Sequence, residues 1–323
     1  MEASRYKNIL SRTGLCGAVL FLLSGCKFVL LDPKGSVGVQ EKELIITALL
    51  LMLIVVIPVI LMTIYFSYKY RASNTDEEYK PEWSHSTKIE IVVWTVPLII
   101  IAILGTITWH STHELEPSVP LKHEGKPMTI EVVSLDWKWL FIYPEQHIAT
   151  VNYVAFPEDV PVKFKITSDN IMNSFFIPQL GSQIYAMPAM VTRLNLIADH
   201  PGEFDGISSN FSGDGFSHMK FKARAFETEQ GFNAWVDEVK ASPNSLNSFA
   251  DYRQLAKPSI DVPVTYYSAV MPDLFNSVVT QFPGGMQHSG GVGMGTSKAT
   301  GHQHHSMTMD VKESHEHMTE DKG

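Results

Sequence analysis

Two uncharged apolar runs constrain this chain more than anything else in it. From Leu44 to Tyr68 it reads LIITALLLMLIVVIPVILMTIYFSY, and from Ile91 to Trp109 it reads IVVWTVPLIIIAILGTITW, with no charged side chain in either. A helix needs roughly 20 apolar residues to cross the hydrocarbon core of a bilayer, and both runs approach or exceed that length. The alternative, a helix buried in a soluble core, is disfavoured by the length and purity of both runs. Tyr65, Tyr68 and Tyr70 cluster at the end of the first run, and Trp94 and Trp109 lie in the second. Such aromatic residues favour the membrane–water interface. The reading is a two-helix transmembrane hairpin, with spans over 44–68 and 89–110 joined by a loop over 69–88. Pro58 and Pro97 fall inside the spans, and Pro58 is expected to kink the first.

The amino terminus reads as an export signal. Arg5, Lys7 and Arg12 precede an apolar stretch from Leu15 to Leu23 that is too short to span a membrane. It ends in LLSGC, the pattern of a lipoprotein signal, so residues 1–25 are expected to be removed and Cys26 to carry lipid. Cys16 then leaves with the signal, and no thiolate remains for a disulfide or a metal. A lipidated Cys26 lies outside the cytoplasmic membrane, at the head of an outer segment over 26–43. The first span then runs inward and the second outward, with the loop cytoplasmic. Lys69, Arg71, Lys80 and Lys88 in the loop and Lys27, Lys34 and Lys42 before the first span make the charge bias weak by itself.

Beyond the second span the texture changes. From 126 to 226, short runs such as MTIEVVSL, WLFIY, ATVNYVAF, PVKFKITS, NSFFIP, SQIYAM, TRLNLIA and MKFKARAF are separated by Pro, Gly and Asp. Val162–Thr167 and Met219–Phe226 alternate polar and apolar residues with period two. Seven or eight short strands of this kind predict a β-sandwich on the outer side. A helical pattern returns over 227–282, clearest in EQGFNAWVDEVK, and is broken by Pro243, Pro258 and Pro263 into an arm of short helices. Residues 283–323 are rich in Gly, His and Met and are expected to be disordered. Their histidines and thioethers could hold copper loosely, which leaves open a second reading: a membrane-anchored copper-binding lipoprotein. The net charge of −9 argues against nucleic acid as a partner.

One segment looks like a metal loop emptied of its ligands. In GISSNFSGDGFSHM, Gly206 to Met219, Ser208 and Ser212 stand four residues apart, where a copper loop of the cupredoxin type would carry two thiolates. Two membrane spans followed by an outer sandwich with such a loop resemble subunit II of the haem–copper respiratory oxidases. In the cytochrome c oxidase branch the motif is Cys-x-Glu-x-Cys-Gly-x-x-His-x-x-Met, with a further His in an earlier His-Ser-Phe. On this chain those positions fall on Ser208, Asn210, Ser212, Phe216 and Met219, with the earlier His on Asn173 in MNSFFIP. Only Met219 keeps a ligand type, and serine, asparagine and phenylalanine do not make a copper site. His218 is read as a polar loop residue. Gly213 and Gly215 are read as serving the turn.

The pattern therefore resembles the quinol oxidase branch, and within it the cytochrome bo-type enzymes. LLDPKG, LMLIVVIP, KYRASN, VVWTVP, DWKWLFIYPEQ and MNSFFIPQLGSQIYAM carry that resemblance. It implies a periplasmic cupredoxin-like Greek-key sandwich without a dinuclear copper site, and a noncatalytic subunit of a proton-translocating ubiquinol oxidase in the bacterial inner membrane. It implies no metal in this chain; haems and one copper would sit in the partner, subunit I, with smaller membrane subunits and lipid around it and no cytochrome c. Glu90, at the cytoplasmic start of the second span, is the candidate for proton uptake. Asp136, Trp137 and Trp139 in DWKW are the candidate subunit contacts.

Overall fold

The computed structural model describes residues 28–75, 82–123 and 125–282. Two long helices come first, α1 over Ser36–Lys69 and α2 over Thr87–Glu114. Both outrun the uncharged stretches. Gln40 to Glu43 and His110 to Glu114 contain neither Pro nor Gly, so nothing stops the backbone ladder where the charges begin. Pro117 lies just past the end of α2, and α1 is assigned as one helix through Pro58. Both helices are long and apolar enough to cross a membrane. Most of their side chains face outward without cover from the described residues: Leu50 is 59% and Ile101 64% exposed.

α1 does not hang freely from the rest of the chain. Gln179 O accepts from Lys34 N at 2.7 Å, Leu180 O accepts from Gly38 N at 3.1 Å, and Lys34 O accepts from Asp199 N at 2.9 Å. Ser182 Oγ donates to the Glu41 carboxylate. Val37 is buried there, and a Cβ on Gly35 would stand 2.2 Å from Ile197 O. The backbone approach leaves no room for any side chain at that position.

The outer part is a two-sheet sandwich. Its strands are β1 Met128–Leu135, β2 Lys138–Tyr143, β3 Ile148–Val151, β4 Tyr153–Pro157, β5 Val162–Ser168, β6 Asn173–Phe176, β7 Ile184–Ala186, β8 Thr192–Leu196, β9 Gly202–Ser208, β10 Lys220–Phe226 and β11 Thr265–Tyr267. One sheet runs β11-β3-β2-β1-β5-β8 and the other β4-β10-β9-β6-β7. The β1–β5 and β4–β10 pairs are parallel, and the rest are antiparallel.

Two details depart from the sequence reading. ATVNYVAF is not one strand: Asn152, at φ 56°, breaks it and sends β3 and β4 into different sheets. The arm is not purely helical, because β11 from its middle extends the first sheet.

The core between the sheets is aromatic. Phe175 and Phe221 stack at 5.1 Å, and Trp139 meets Phe175 edge-on at 5.3 Å. The arm covers the other face of the first sheet, where Val133, Leu135, Leu140 and Ile142 pack under Leu246, Tyr252, Leu274, Phe275 and Val278. β2 is thus buried along its whole length, and so its sequence shows no alternation. The arm's helices are α3 Glu229–Lys240, α4 Phe249–Leu255 and α5 Leu274–Thr280. α3 is capped by Thr228, whose Oγ1 accepts from Gly231 N at 3.1 Å. It buries Phe232, Trp235, Val236 and Val239, one helical face. α4 begins with a capping box between Ser248 and Asp251.

One buried hydroxyl ties the two sheets together. Tyr143 on β2 donates to Ala155 O at 3.1 Å and accepts from Ala155 N at 2.7 Å on β4. Burial pushes its pKa far up, so it stays a donor across the working pH range. Tyr143→Phe strands a backbone N–H and a C=O inside the protein. It should cost about 1–3 kcal/mol, read from denaturant unfolding of the full chain in detergent with an unchanged circular dichroism spectrum.

Candidate functional site

The loop between β9 and β10 closes one end of the sandwich. Ser208 ends β9, pairs in register with Phe175, and donates its N–H to Met219 O at 3.1 Å. Its Oγ donates to Asn173 Oδ1 at 3.1 Å, while Asn173 Nδ2 donates to Ser134 Oγ at 2.6 Å and to Ile171 O at 3.1 Å. Asn173, Ser208 and Ser134 are all buried. Two residues expected from the sequence are therefore brought together, joined by Ser134, which the sequence reading missed. Its signal was a serine within the apolar, buried half of β1, VVSL. Met219 is buried within the aromatic core.

The other loop positions go elsewhere. Asn210 Nδ2 donates to Met172 O at 3.1 Å. Phe216 is half-buried and meets the exposed Phe211 edge-on at 5.7 Å. Ser212 is buried, and its Oγ has no partner among the described residues. His218 turns to the arm, with Nδ1 2.7 Å from Asp261 Oδ1.

The fold family implies a two-copper centre at this place, and the residues do not fit one. The centre takes charged thiolates and imidazoles, whereas amides and hydroxyls are neutral, weak ligands. Those of Asn173, Ser208 and Ser134 already satisfy one another. A pair of copper ions there would bury positive charge with no compensating ligand charge. Among the described residues, no group of three or more His, Cys, Asp or Glu side chains is placed to hold a metal ion.

DWKW lies directly behind the loop. Trp137, at φ 68°, donates Nε1–H to Ser212 O at 3.0 Å and lays its ring over the glycines. Gly213 does serve the turn, at φ 106°. Gly215 does not have a positive φ; it is required because a Cβ would stand 2.4 Å from the indole. Asp136 is half-buried and accepts from Asn170 Nδ2 at 3.1 Å.

Trp139 is corrected as a contact candidate. It is 0% exposed, its ring is held in the core by Phe175 and Phe221, and no partner subunit can reach it. Lys138, between the two tryptophans, is also buried. Its Nζ donates to Lys257 O at 2.8 Å and to Ser259 Oγ at 2.5 Å, pinning the arm across the sheet. Burial pushes its pKa down, and Asp136 partly offsets that.

Glu90 lies exposed in the first turn of α2, where the helix dipole favours a negative charge. Cys26 and the histidines and methionines from 286 onward lie outside the described residues.

Comparison with known proteins follows this geometry. Residues 140–225 match the family described as the periplasmic domain of cytochrome c oxidase subunit II, and residues 240–286 match the COX aromatic rich motif. The chain is 64% identical to a cytochrome bo(3) ubiquinol oxidase subunit 2 of Pseudomonas aeruginosa, over 82% of this chain and 80% of that protein. It is 56% identical to a protein of the same name from Pseudomonas putida, over 88% and 89%. A ubiquinol oxidase subunit 2 from Acetobacter aceti is 53% identical over 84% and 88%.

Gly215→Ala tests whether the loop is held by packing. The added methyl meets the Trp137 ring, and the overpacking should cost about 1–3 kcal/mol. The indole should swing toward water, read as a red-shifted tryptophan emission.

Proposed function

The chain belongs to the ubiquinol oxidase subunit 2 family, and from that premise we propose how it serves the enzyme. It is the noncatalytic subunit II of a proton-translocating oxidase that oxidises ubiquinol and reduces oxygen to water in aerobic respiration. The observation that carries the reading is the loop: the sandwich is intact, while the copper positions hold a neutral Asn173–Ser208–Ser134 network. A relay at this place is needed when the donor is a water-soluble protein arriving from outside. Ubiquinol is dissolved in the bilayer and delivers electrons there, so the outer domain needs no redox group.

In this proposal the haems and copper belong to subunit I, and the exposed apolar sides of α1 and α2 are covered by that subunit, by smaller membrane subunits and by lipid. The chain lies in the bacterial inner membrane. The lipid anchor on Cys26, the two passes and the periplasmic placing of the sandwich are part of the same proposal, and they rest on the LLSGC signal and the two apolar helices. Asp136 and Trp137 keep enough exposure to touch a neighbouring subunit. Family membership does not favour the copper-carrier reading.

The first test feeds the complex, purified through a tag on this chain, with either a short-chain ubiquinol or reduced cytochrome c while oxygen uptake is followed. Fast uptake with the quinol alone is expected; uptake with cytochrome c at a comparable rate would overturn the reading.

Glu90 is proposed to feed protons from the cytoplasmic side to subunit I. Glu90→Gln should slow oxygen uptake without changing the subunit composition, and Glu90→Asp should restore part of the rate. Equal rates in all three proteins would leave Glu90 a solvated surface residue.

A further inference from the structure

A cavity of about 330 Å³ lies where three parts of the chain meet. The first turns of α1 form one wall. The end of α2 with the linker after it forms another, and β8 with the residues that follow it forms the third. That volume is within the range of small-molecule sites. Apolar side chains such as Val37, Leu115, Leu194 and Ile197 make up much of its lining, and the charges among them are not of one sign. Glu114, Glu116 and Asp199 bring carboxylates, Lys122 and His123 bring a cation and an imidazole, and Gln40 adds an amide.

The depth of the cavity follows from helix geometry. Gln40 precedes the start of the first uncharged run at Leu44 by about 6 Å of helix, and Glu114 follows the end of the second at Trp109 by about 8 Å. The polar layer of each leaflet is roughly 5–8 Å thick. If both helices span the membrane, as proposed above, the cavity lies at the level of the lipid head groups.

Its charges are also available. Glu114 and Lys122 have no partner among the described residues, while Ser118 holds Glu116 at 2.7 Å. Burial, with Asp159 nearby, pushes the Asp199 carboxyl upward, so a cation placed beside it would be favoured.

We propose that this cavity binds the head group of an ethanolamine-type phospholipid, with the ammonium against Glu114 and Asp199 and the phosphodiester against Lys122 and His123. The acyl chains run down the exposed apolar sides of α1 and α2. The lining selects the head group. A purely anionic lipid would meet three carboxylates against one lysine and one histidine. A choline head group has no N–H to donate to those carboxylates, whereas a primary ammonium has three.

The test is native mass spectrometry of the intact complex, purified in detergent through a tag on this chain and titrated with phosphatidylethanolamine, phosphatidylglycerol or inorganic phosphate. The wild type should retain one ethanolamine lipid at concentrations where the glycerol lipid is lost. Glu114→Gln combined with Lys122→Gln should need about tenfold more of it, as when a charge-assisted hydrogen bond is lost, with an unchanged set of subunits. Equal retention by the variant, or equal retention of the two lipids by the wild type, overturns the proposal. Displacement of the lipid by millimolar phosphate assigns the site to a free anion and overturns it too. Labelling of a cysteine placed in the 69–88 loop with a membrane-impermeant maleimide on spheroplasts separates this from failure of the membrane reading, since the loop reacts only if that reading fails.

Discussion

The joint between α1 and the sandwich sets the position of everything else. Three backbone hydrogen bonds link Lys34 and Gly38 to Gln179, Leu180 and Asp199, and they form only because Gly35 lets the chains touch. Single hydrogen bonds contribute only about 0.5–1.5 kcal/mol each. Their weight here comes from geometry, since backbone bonds fix direction in a way that side-chain packing does not. α1 is thereby set at a fixed angle to the sandwich. If it spans a bilayer, as proposed, the loop between β9 and β10, Trp137 and the arm are in turn fixed relative to the membrane plane.

The loop survives without a metal because it was never the main source of the sandwich's stability. Burying one phenylalanine contributes about 1.5–3 kcal/mol, and Phe141, Phe164, Phe175 and Phe221 all belong with Trp139 to one core. The Asn173–Ser208–Ser134 bonds need only avoid leaving polar groups unpaired. Ser212 Oγ in the loop and Trp139 Nε1 in the core do lack a partner among the described residues, two polar groups against that sum. Packing of Trp137 on Gly213 and Gly215 then holds the turn from outside.

Much of this was legible in the residues, and the misses have physical causes. The two long helices were visible as uncharged apolar runs, but their ends were not. Charged residues mark the limit of the hydrocarbon, not the limit of the helix, so α1 begins at Ser36 instead of Leu44. Eight of the strand segments were visible from their apolar runs. β9 was not, because Gly202, Glu203, Asp205 and Gly206 give GEFDGIS a turn-like composition while its alternate residues still face the core. Asn152 hid a change of sheet because asparagine tolerates a left-handed backbone without a glycine to announce it. Trp139 was misjudged because two residues spaced by two share a face only where both lie in the strand, and the left-handed backbone at Trp137 breaks that spacing. Of the DWKW tryptophans, Trp137 lies before the strand over the loop, and Trp139 is inside it facing the core. The six loop positions could be aligned by motif spacing, but which of them would touch could not, since that depends on Ser134 from a distant strand.

The architecture separates two tasks that the loop sequence alone would conflate. In the proposed role, holding a partner in the membrane falls to α1, α2 and the joint, whose exposed apolar surface is unstable in water and needs a cover. Carrying electrons would be the work of charged ligands at a loop whose backbone is held by independent contacts. Because Ser208 pairs with Phe175 and Met219 through its backbone, the side chain at that position can change from a ligand to a hydroxyl without moving the strand. Loss of the ligands therefore costs the fold little and alters only what can donate electrons. A membrane-soluble donor is the one class of reductant that makes an outer relay unnecessary while still requiring the scaffold that fixes the subunit in the bilayer.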